Sequence, residues 1–217
     1  MIEDTLEGNI TADRTISAAN KNFLKGFVYV KSGATLTIEA GSVIKGISVA
    51  SGERAASLII EPGAKIIAEG TVDKPIVFTS DKEPGKRVTG DWGGLIICGN
   101  ARVNRTNQPT IEGGPGTHYG NTTSDEFNGE SSGKLKYVRI EFAGYPLEPD
   151  KEINGLTFGG VGSGTEVEFV QVSYSNDDSY EWFGGTVNAK HLIAYKGWDD
   201  DFDTDYGYTG KLQFLLS

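Results

Sequence analysis

The sequence predicts an all-β chain wound as a β-solenoid with coils of about 22 residues, and three observations carry that prediction. Residues 34–41 (ATLTIEAG) return as residues 56–63 (ASLIIEPG), 22 positions on. Residues 169–174 (FVQVSY) return as residues 191–196 (HLIAYK) at the same offset. Between these phrases the apolar residues alternate in short runs broken by glycine, which is the strand period, and no helical apolar stripe emerges. A sandwich or barrel does not require one phrase to come back at a fixed interval.

Taken in order, residues 1–25 are polar with scattered apolar positions (Ile10, Ile16, Phe23, Leu24), and we expect an N-terminal cap there. Residues 26–217 then form the solenoid as one domain. In its first half Leu36 would stack on Leu58 and Ile38 on Ile60. Gly41, Gly63, Gly159, Gly160, Gly184 and Gly185 suit corners that need positive φ. Residues 137–142 (YVRIEF) read as an earlier member of the second set, displaced by 32 and so carrying an extra loop. Two polar insertions interrupt the rhythm, at 81–91 and at 104–134. A long segment with so little apolar content is usually functional or disordered. The chain closes in the strand-like phrase 210–217 (GKLQFLLS), from which we expect either a longer parent protein or a partner that covers the last coil.

Composition excludes several functions. A net charge of -10 opposes binding to nucleic acid, whose phosphates require a basic face, and to anionic lipid surfaces. It suits cation binding or solubility. Cys98 is the single cysteine, so neither an intrachain disulfide nor a thiolate metal site can form. It lies in the apolar run Leu95-Ile96-Ile97-Cys98, where a buried inert thiol is expected. No run approaches the ~18–20 apolar residues of a membrane span.

Several phrases together resemble a group of exported Bacteroidetes surface proteins. They are residues 24–46 (LKGFVYVKSGATLTIEAGSVIKG), 91–100 (DWGGLIICGN), 137–144 (YVRIEFAG) and 183–192 (FGGTVNAKHL). The resemblance spans nearly the whole chain. It implies a right-handed single-stranded parallel β-helix, secreted or lipid-anchored and often exported by the type IX system. The location it implies is extracellular or on the outer-membrane surface, with any membrane attachment through an anchor outside this chain. It implies no activity.

The chemistry concentrates in residues 176–205. Asn176-Asp177-Asp178-Ser179-Tyr180-Glu181 is echoed by Trp198-Asp199-Asp200-Asp201-Phe202-Asp203, so Asp177 falls on Asp199, Asp178 on Asp200 and Glu181 on Asp203. Stacked like charges call for a counter-ion or a solvated rim. Ca²⁺ takes six to eight oxygens from carboxylates and carbonyls. Asp177, Asp178, Glu181, Asp199, Asp200, Asp201, Asp203 and Asp205 are therefore the candidate ligands of a structural Ca²⁺. Asp201-x-Asp203-x-Asp205 has the spacing of a calcium loop, but Tyr206 stands where the tight-turn glycine belongs and Leu212 where an EF-hand closes with glutamate. The competing reading is a solvated acidic turn whose Asp side chains cap backbone N–H groups.

Aromatic residues crowd the same stretch. Tyr180, Phe183 and Phe202 read as an internal ladder, whereas Trp182, Trp198, Tyr206 and Tyr208 are candidates for an exposed sugar platform. A catalytic set is weaker. Asp177, Asp178, His191 and Lys196 are of the types that β-helix hydrolases use, and a hydrolase needs two carboxylates of which one is protonated. His191 aligns with Phe169, however, which suits packing. The expectation is a surface structural or binding module, glycan-binding with Ca²⁺-stabilised acidic turns, partnered by a glycan or a surface protein. The alternative is a polysaccharide lyase or glycoside hydrolase acting on acidic glycans.

Overall fold

The computed structural model of the chain describes residues 2–49, 55–113, 115–148 and 151–217. Its strands follow one another round a three-sided coil. β1 (Glu3–Ile10) and β2 (Arg14–Ile16) make the first coil, β3 (Lys21–Val30) and β4 (Thr35–Ile38) the second. β5 (Val43–Gly46), β6 (Ser57–Ile60) and β7 (Lys65–Glu69) make the third. β8 (Ile76–Ser80), β9 (Leu95–Cys98) and the start of β10 (Gly133–Glu141) make the fourth. A small antiparallel pair, β11 (Pro146–Glu148) and β12 (Lys151–Glu152), precedes β13 (Leu156–Gly159) and β14 (Glu166–Ser173). β15 (Tyr180–Phe183), β16 (Asn188–Tyr195), β17 (Phe202–Asp205) and β18 (Leu212–Leu216) complete the winding. Every pairing in the large sheet is parallel, and the fold is a right-handed parallel β-helix.

The segment read as a cap is itself wound in. β1 pairs with β3, and β2 with β4, so residues 3–16 are the first coil. The interval of 22 holds where β2 meets β4 (Ile16 on Ile38), where β14 meets β16 (Val170 on Leu192) and where β15 meets β17 (Tyr180 on Phe202). It fails for the phrase that first suggested it. Leu36 stacks on Ile66, and Leu58 stacks on Val28, each an offset of 30. The two similar phrases lie on different sides of the coil. Each side imposes the same alternation and the same glycine corner, so the phrases look alike without stacking.

Strand parity divides each side chain row into inward and outward ladders. Along one side, Val28, Leu58, Leu95, Leu156, Tyr180 and Phe202 stack inward, as do Val30, Ile60, Ile97, Phe158 and Trp182. Trp182 is fully buried, stacked on Phe158 at 5.6 Å between ring centroids and on Tyr180 at 5.8 Å. The expectation that it forms an exposed platform is corrected on that ground: Glu181 faces outward, so its neighbour must face in.

Corners between sides carry an unusual load. Tyr137, Phe169, His191 and Phe214 all take φ between 50° and 59°, a left-handed conformation that bulky residues avoid. They offset that strain by stacking ring on ring, with centroids 4.7, 4.5 and 4.7 Å apart. Gly160, Gly184 and Tyr206 occupy another such column. Gly41, Gly63 and Gly185 also take positive φ, as expected of corners, but Gly159 does not. A Cβ at Gly159 would instead press on the Tyr119 ring, so close packing accounts for that glycine.

The polar insertion at 104–134 lies over the outer surface of the side built from β6, β9, β13 and β15. Its Ile111 and Tyr119 pack with Ile59, Ile96, Cys98 and Phe183 in a second apolar cluster. That cover explains why all four of these strands are buried on both surfaces. Burial also pushes the Cys98 thiol well above its ordinary pKa, which keeps it unreactive.

Trp182→Ala should cost about 3–5 kcal/mol of stability by emptying the central ladder, while the exposed Trp198→Ala should stay within about 0.5 kcal/mol. Denaturant midpoints of the two variants check this. Similar midpoints would contradict the inward placement of Trp182.

Candidate functional site

The outward ladder beneath the 104–134 insertion changes character along the axis. It runs Tyr29, Ile59, Ile96, Thr157, Glu181, Asp203. Glu181 is only 6% exposed, because Asn154 lies beside it and donates its amide N–H to Oε2. A charged carboxylate is costly in such a place. Burial pushes its pKa up to about 9, and the charges acting on it push the same way: Asp178, Glu112, Asp203 and Asp177 are all carboxylates.

Asp178 sits half-buried at the turn leading into β15. Its Oδ1 accepts the Asp200 N–H at 2.9 Å, which ties this turn to the one in the next coil. The backbone continues the tie: the Ser179 N–H donates to the Asp200 carbonyl, and the Trp198 N–H to the Ser175 carbonyl, at 2.9 and 3.0 Å. Burial, then the neighbouring Asp177, raise the Asp178 pKa to about 7, and the Asp200 N–H opposes the rise.

Two sets of carboxylate oxygens result, each with its members within 4.8 Å of one another: Asp178, Glu181 and Asp203, and Asp177, Asp178 and Asp199. All five belong to the candidate ligands read from the sequence. The other three do not join either set among the described residues. Asp200 contributes its N–H to Asp178, Asp205 Oδ1 accepts the Tyr206 N–H at 2.7 Å, and Asp201 lies beside Gly197. Oxygen-only donors of this kind suit Ca²⁺, Mg²⁺ or Mn²⁺. Such a group would be held by the two carboxylate sets, with the Asn154 carbonyl Oδ1, buried and without a hydrogen-bond partner, as a neutral donor.

The remaining candidates disperse. Trp198 is 77% exposed at the rim of the same turn. Tyr206 is half-buried under the Arg105 guanidinium, 4.3 Å from its ring centroid. Tyr208 is half-buried against Trp182 and donates its hydroxyl to the Val187 carbonyl at 2.6 Å. His191 is held between Phe169 and Phe214 at a corner, outside both carboxylate sets. The Lys196 ammonium lies over the Tyr174 and Tyr195 rings. The proposed catalytic quartet is therefore not assembled with Asp177 and Asp178.

A groove of about 580 Å³ runs along the aromatic corner column. Its inner rings, Phe169 and His191, are covered on both faces by neighbouring rings, while Phe214 ends the column with 60% of its surface exposed. Asn154 is the site residue that sequence reading missed. It stands alone in a loop, and only the register of Thr157 beneath Glu181 places it.

A model of the family described as Pectate-lyase like beta helix domain matches residues 8–217. No curated protein and no solved structure matches the chain.

The raised pKa values fix a pH dependence for the metal-free protein. In the folded state Glu181 holds its proton up to about 9 and Asp178 up to about 7, against ordinary values of 4.5 and 3.8. A raised carboxyl favours the folded state fully below its unfolded pKa and loses that advantage as pH climbs to the folded value. Stability should therefore fall from about pH 4 to about pH 9, and Glu181→Gln should flatten the upper part of the fall. Melting temperatures across that range read it. An equal slope in the variant would contradict the assignment to Glu181.

Proposed function

Because the chain belongs to the pectate-lyase-like β-helix domain family, we propose a binding module built on that scaffold and stabilised by Ca²⁺ at its acidic edge. The observation that carries the proposal is the approach of Asp178, Glu181 and Asp203 to within 4.8 Å across two successive coils. Among the described residues, the charges acting on the buried Glu181 are those of Asp178, Glu112, Asp203 and Asp177, all negative, and a proton or a cation compensates such a cluster. A hard divalent ion supplies that compensation at neutral pH and crosslinks the coils that contribute its ligands.

The ligand we assign is a glycan or another surface partner, met at the rim where Trp198 stands beside Asp199 and Asp200. An exposed indole face next to carboxylates is an arrangement suited to a sugar ring, by apolar contact on one side and hydrogen bonds on the other. The resemblance of its phrases to those of exported Bacteroidetes surface proteins supports an extracellular or outer-membrane location, with any anchoring supplied from outside this chain.

A lyase or hydrolase of acidic glycans is the second reading, favoured by one observation. Asp178, with its pKa near 7, is suited to exchange a proton at neutral pH. Against it, Glu181 is covered, Lys190 is paired with Glu168 at 2.8 Å, and Lys196 is turned onto two tyrosine rings. No free cationic base thus stands beside Asp178 among these lysines. Appearance of unsaturated or reducing ends from a polyuronate, lost on Asp178→Asn, would favour catalysis over binding.

Free Ca²⁺ at about 100 times its dissociation constant should stabilise the folded chain by about 2.7 kcal/mol, and a chelator should reverse the gain. Thermal melting measures both, and an unmoved midpoint would refute the Ca²⁺ site. Trp198→Ala should leave the Ca²⁺ shift intact while weakening retention on a glycan array.

A further inference from the structure

We propose that a trough on the side of the coil built from β10, β14 and β16 docks a protein partner, one that presents apolar side chains beside a carboxylate. This side is distinct from the one carrying Glu181 and Asp203, and the docking does not depend on a bound cation.

Two adjoining grooves of about 580 and 820 Å³ make the trough, and Arg139 and Gln171 line both. Its floor is the outward face of the parallel strands, with Arg139, Gln171 and Ile193 in register and Glu141, Ser173 and Tyr195 in the row beside them. The walls come from the two ends of β8. Thr71, Val72 and Pro75 precede that strand, and residues 84–89 of the polar insertion at 81–91 follow it. The second wall is fastened down. Buried Asp91 accepts from Ser80 Oγ at 2.7 Å, Lys82 Nζ at 2.5 Å and the Val88 N–H at 3.0 Å, and Thr89 Oγ1 donates to Asn176 Oδ1 at 3.1 Å. A wall already in place lowers the ordering cost of binding.

The lining selects the occupant by shape and by charge. Val72, Val88, Ile193, Tyr195, Phe214 and Leu216 all line the trough, and they are six of the eleven exposed large apolar residues among the described residues. Apolar exposure gathered on one face marks an interaction surface. Four of the six are aliphatic, which suits the apolar side chains of a protein and gives a sugar ring no flat face. The charge runs against that of the whole chain. Net charge is -10, yet the charged residues of the trough are Arg87, Arg139 and Glu141. Arg139 holds Glu141 at 2.5 Å, so Arg87 is the excess. Its half-buried guanidinium is aligned by donating Nε to the Lys82 carbonyl at 2.9 Å and Nη1 to Thr79 Oγ1 at 3.3 Å, and among the described residues it has no carboxylate partner. A carboxylate brought by the partner would complete it. Arginine and tyrosine set among aliphatic groups is the composition of a protein interface core.

Selection of a phage-displayed library of random linear peptides against the full chain tests the proposal, with fluorescence anisotropy on the enriched peptides as the readout. We expect sequences that set Leu, Phe or Tyr beside Asp or Glu, bound equally with CaCl₂ and with a chelator. Arg87→Gln and Ile193→Asp, each shown to be folded by circular dichroism, should weaken them at least about tenfold, while Trp198→Ala should leave them unchanged. Failure to enrich any peptide, or peptides that bind both trough variants as tightly as the wild type, would overturn the docking site. Binding of oligogalacturonate that Ile193→Asp abolishes would overturn the protein partner in favour of a glycan. A concentration-dependent dimer in sedimentation, abolished by the same substitution, would overturn it in favour of a second copy of the chain.

Discussion

Parallel stacking at the strand spacing of ~4.8 Å is the constraint on which the rest of this molecule depends. It sets each residue directly over its counterpart in the next coil, and the consequence depends on which way the residue faces. Inward, it gives unbroken apolar and aromatic ladders such as Val28, Leu58, Leu95, Leu156 and Tyr180. At the corners it gives ring stacks that hold Tyr137, Phe169, His191 and Phe214 in a conformation none of them favours alone. Outward, the same rule sets Glu181 over Asp203. Stacking therefore stabilises like with like when the residues are apolar, and creates a charge conflict when they are acidic.

Burial decides how severe that conflict is. On an open rim, adjacent carboxylates are eased by water and salt. Here the side bearing Glu181 is roofed over, because the 104–134 insertion brings Ile111 and Tyr119 onto Ile59, Ile96 and Phe183. The roof makes the outer surface of these strands apolar, and Glu181 lies on the same side with only 6% of its surface exposed. The same insertion also adds to the charge conflict at the acidic edge. Its Glu112 adds a further negative charge acting on Glu181.

Much of this was legible in the sequence, and the failures have physical causes. The solenoid and the pairing of Tyr180 with Phe202 and Glu181 with Asp203 followed from the interval of 22, because the coils carrying β15 and β17 have no insertion between them. In the first half, similar phrases misled. Each side of the coil demands alternating apolar residues and then a glycine, so residues 34–41 and 56–63 resemble each other while stacking on different neighbours. Trp182 reads as exposed because it aligns with Thr204 at the interval of 22, whereas strand parity next to an outward Glu181 points it inward. The role of Asn154 and the roofing by Ile111 and Tyr119 could not be read, because scattered residues in a polar loop leave no periodic trace.

The central claim is that the carboxylates of two successive coils converge on a bound cation rather than splaying into water. Diffraction from crystals grown with CaCl₂ tests it most directly, with anomalous scattering to identify the ion. The account predicts density between Asp178, Glu181 and Asp203 whose oxygen neighbours lie at ~2.3–2.6 Å. Density for water alone, with Glu181 hydrogen-bonded to Asn154 and the aspartates turned to solvent, would contradict it.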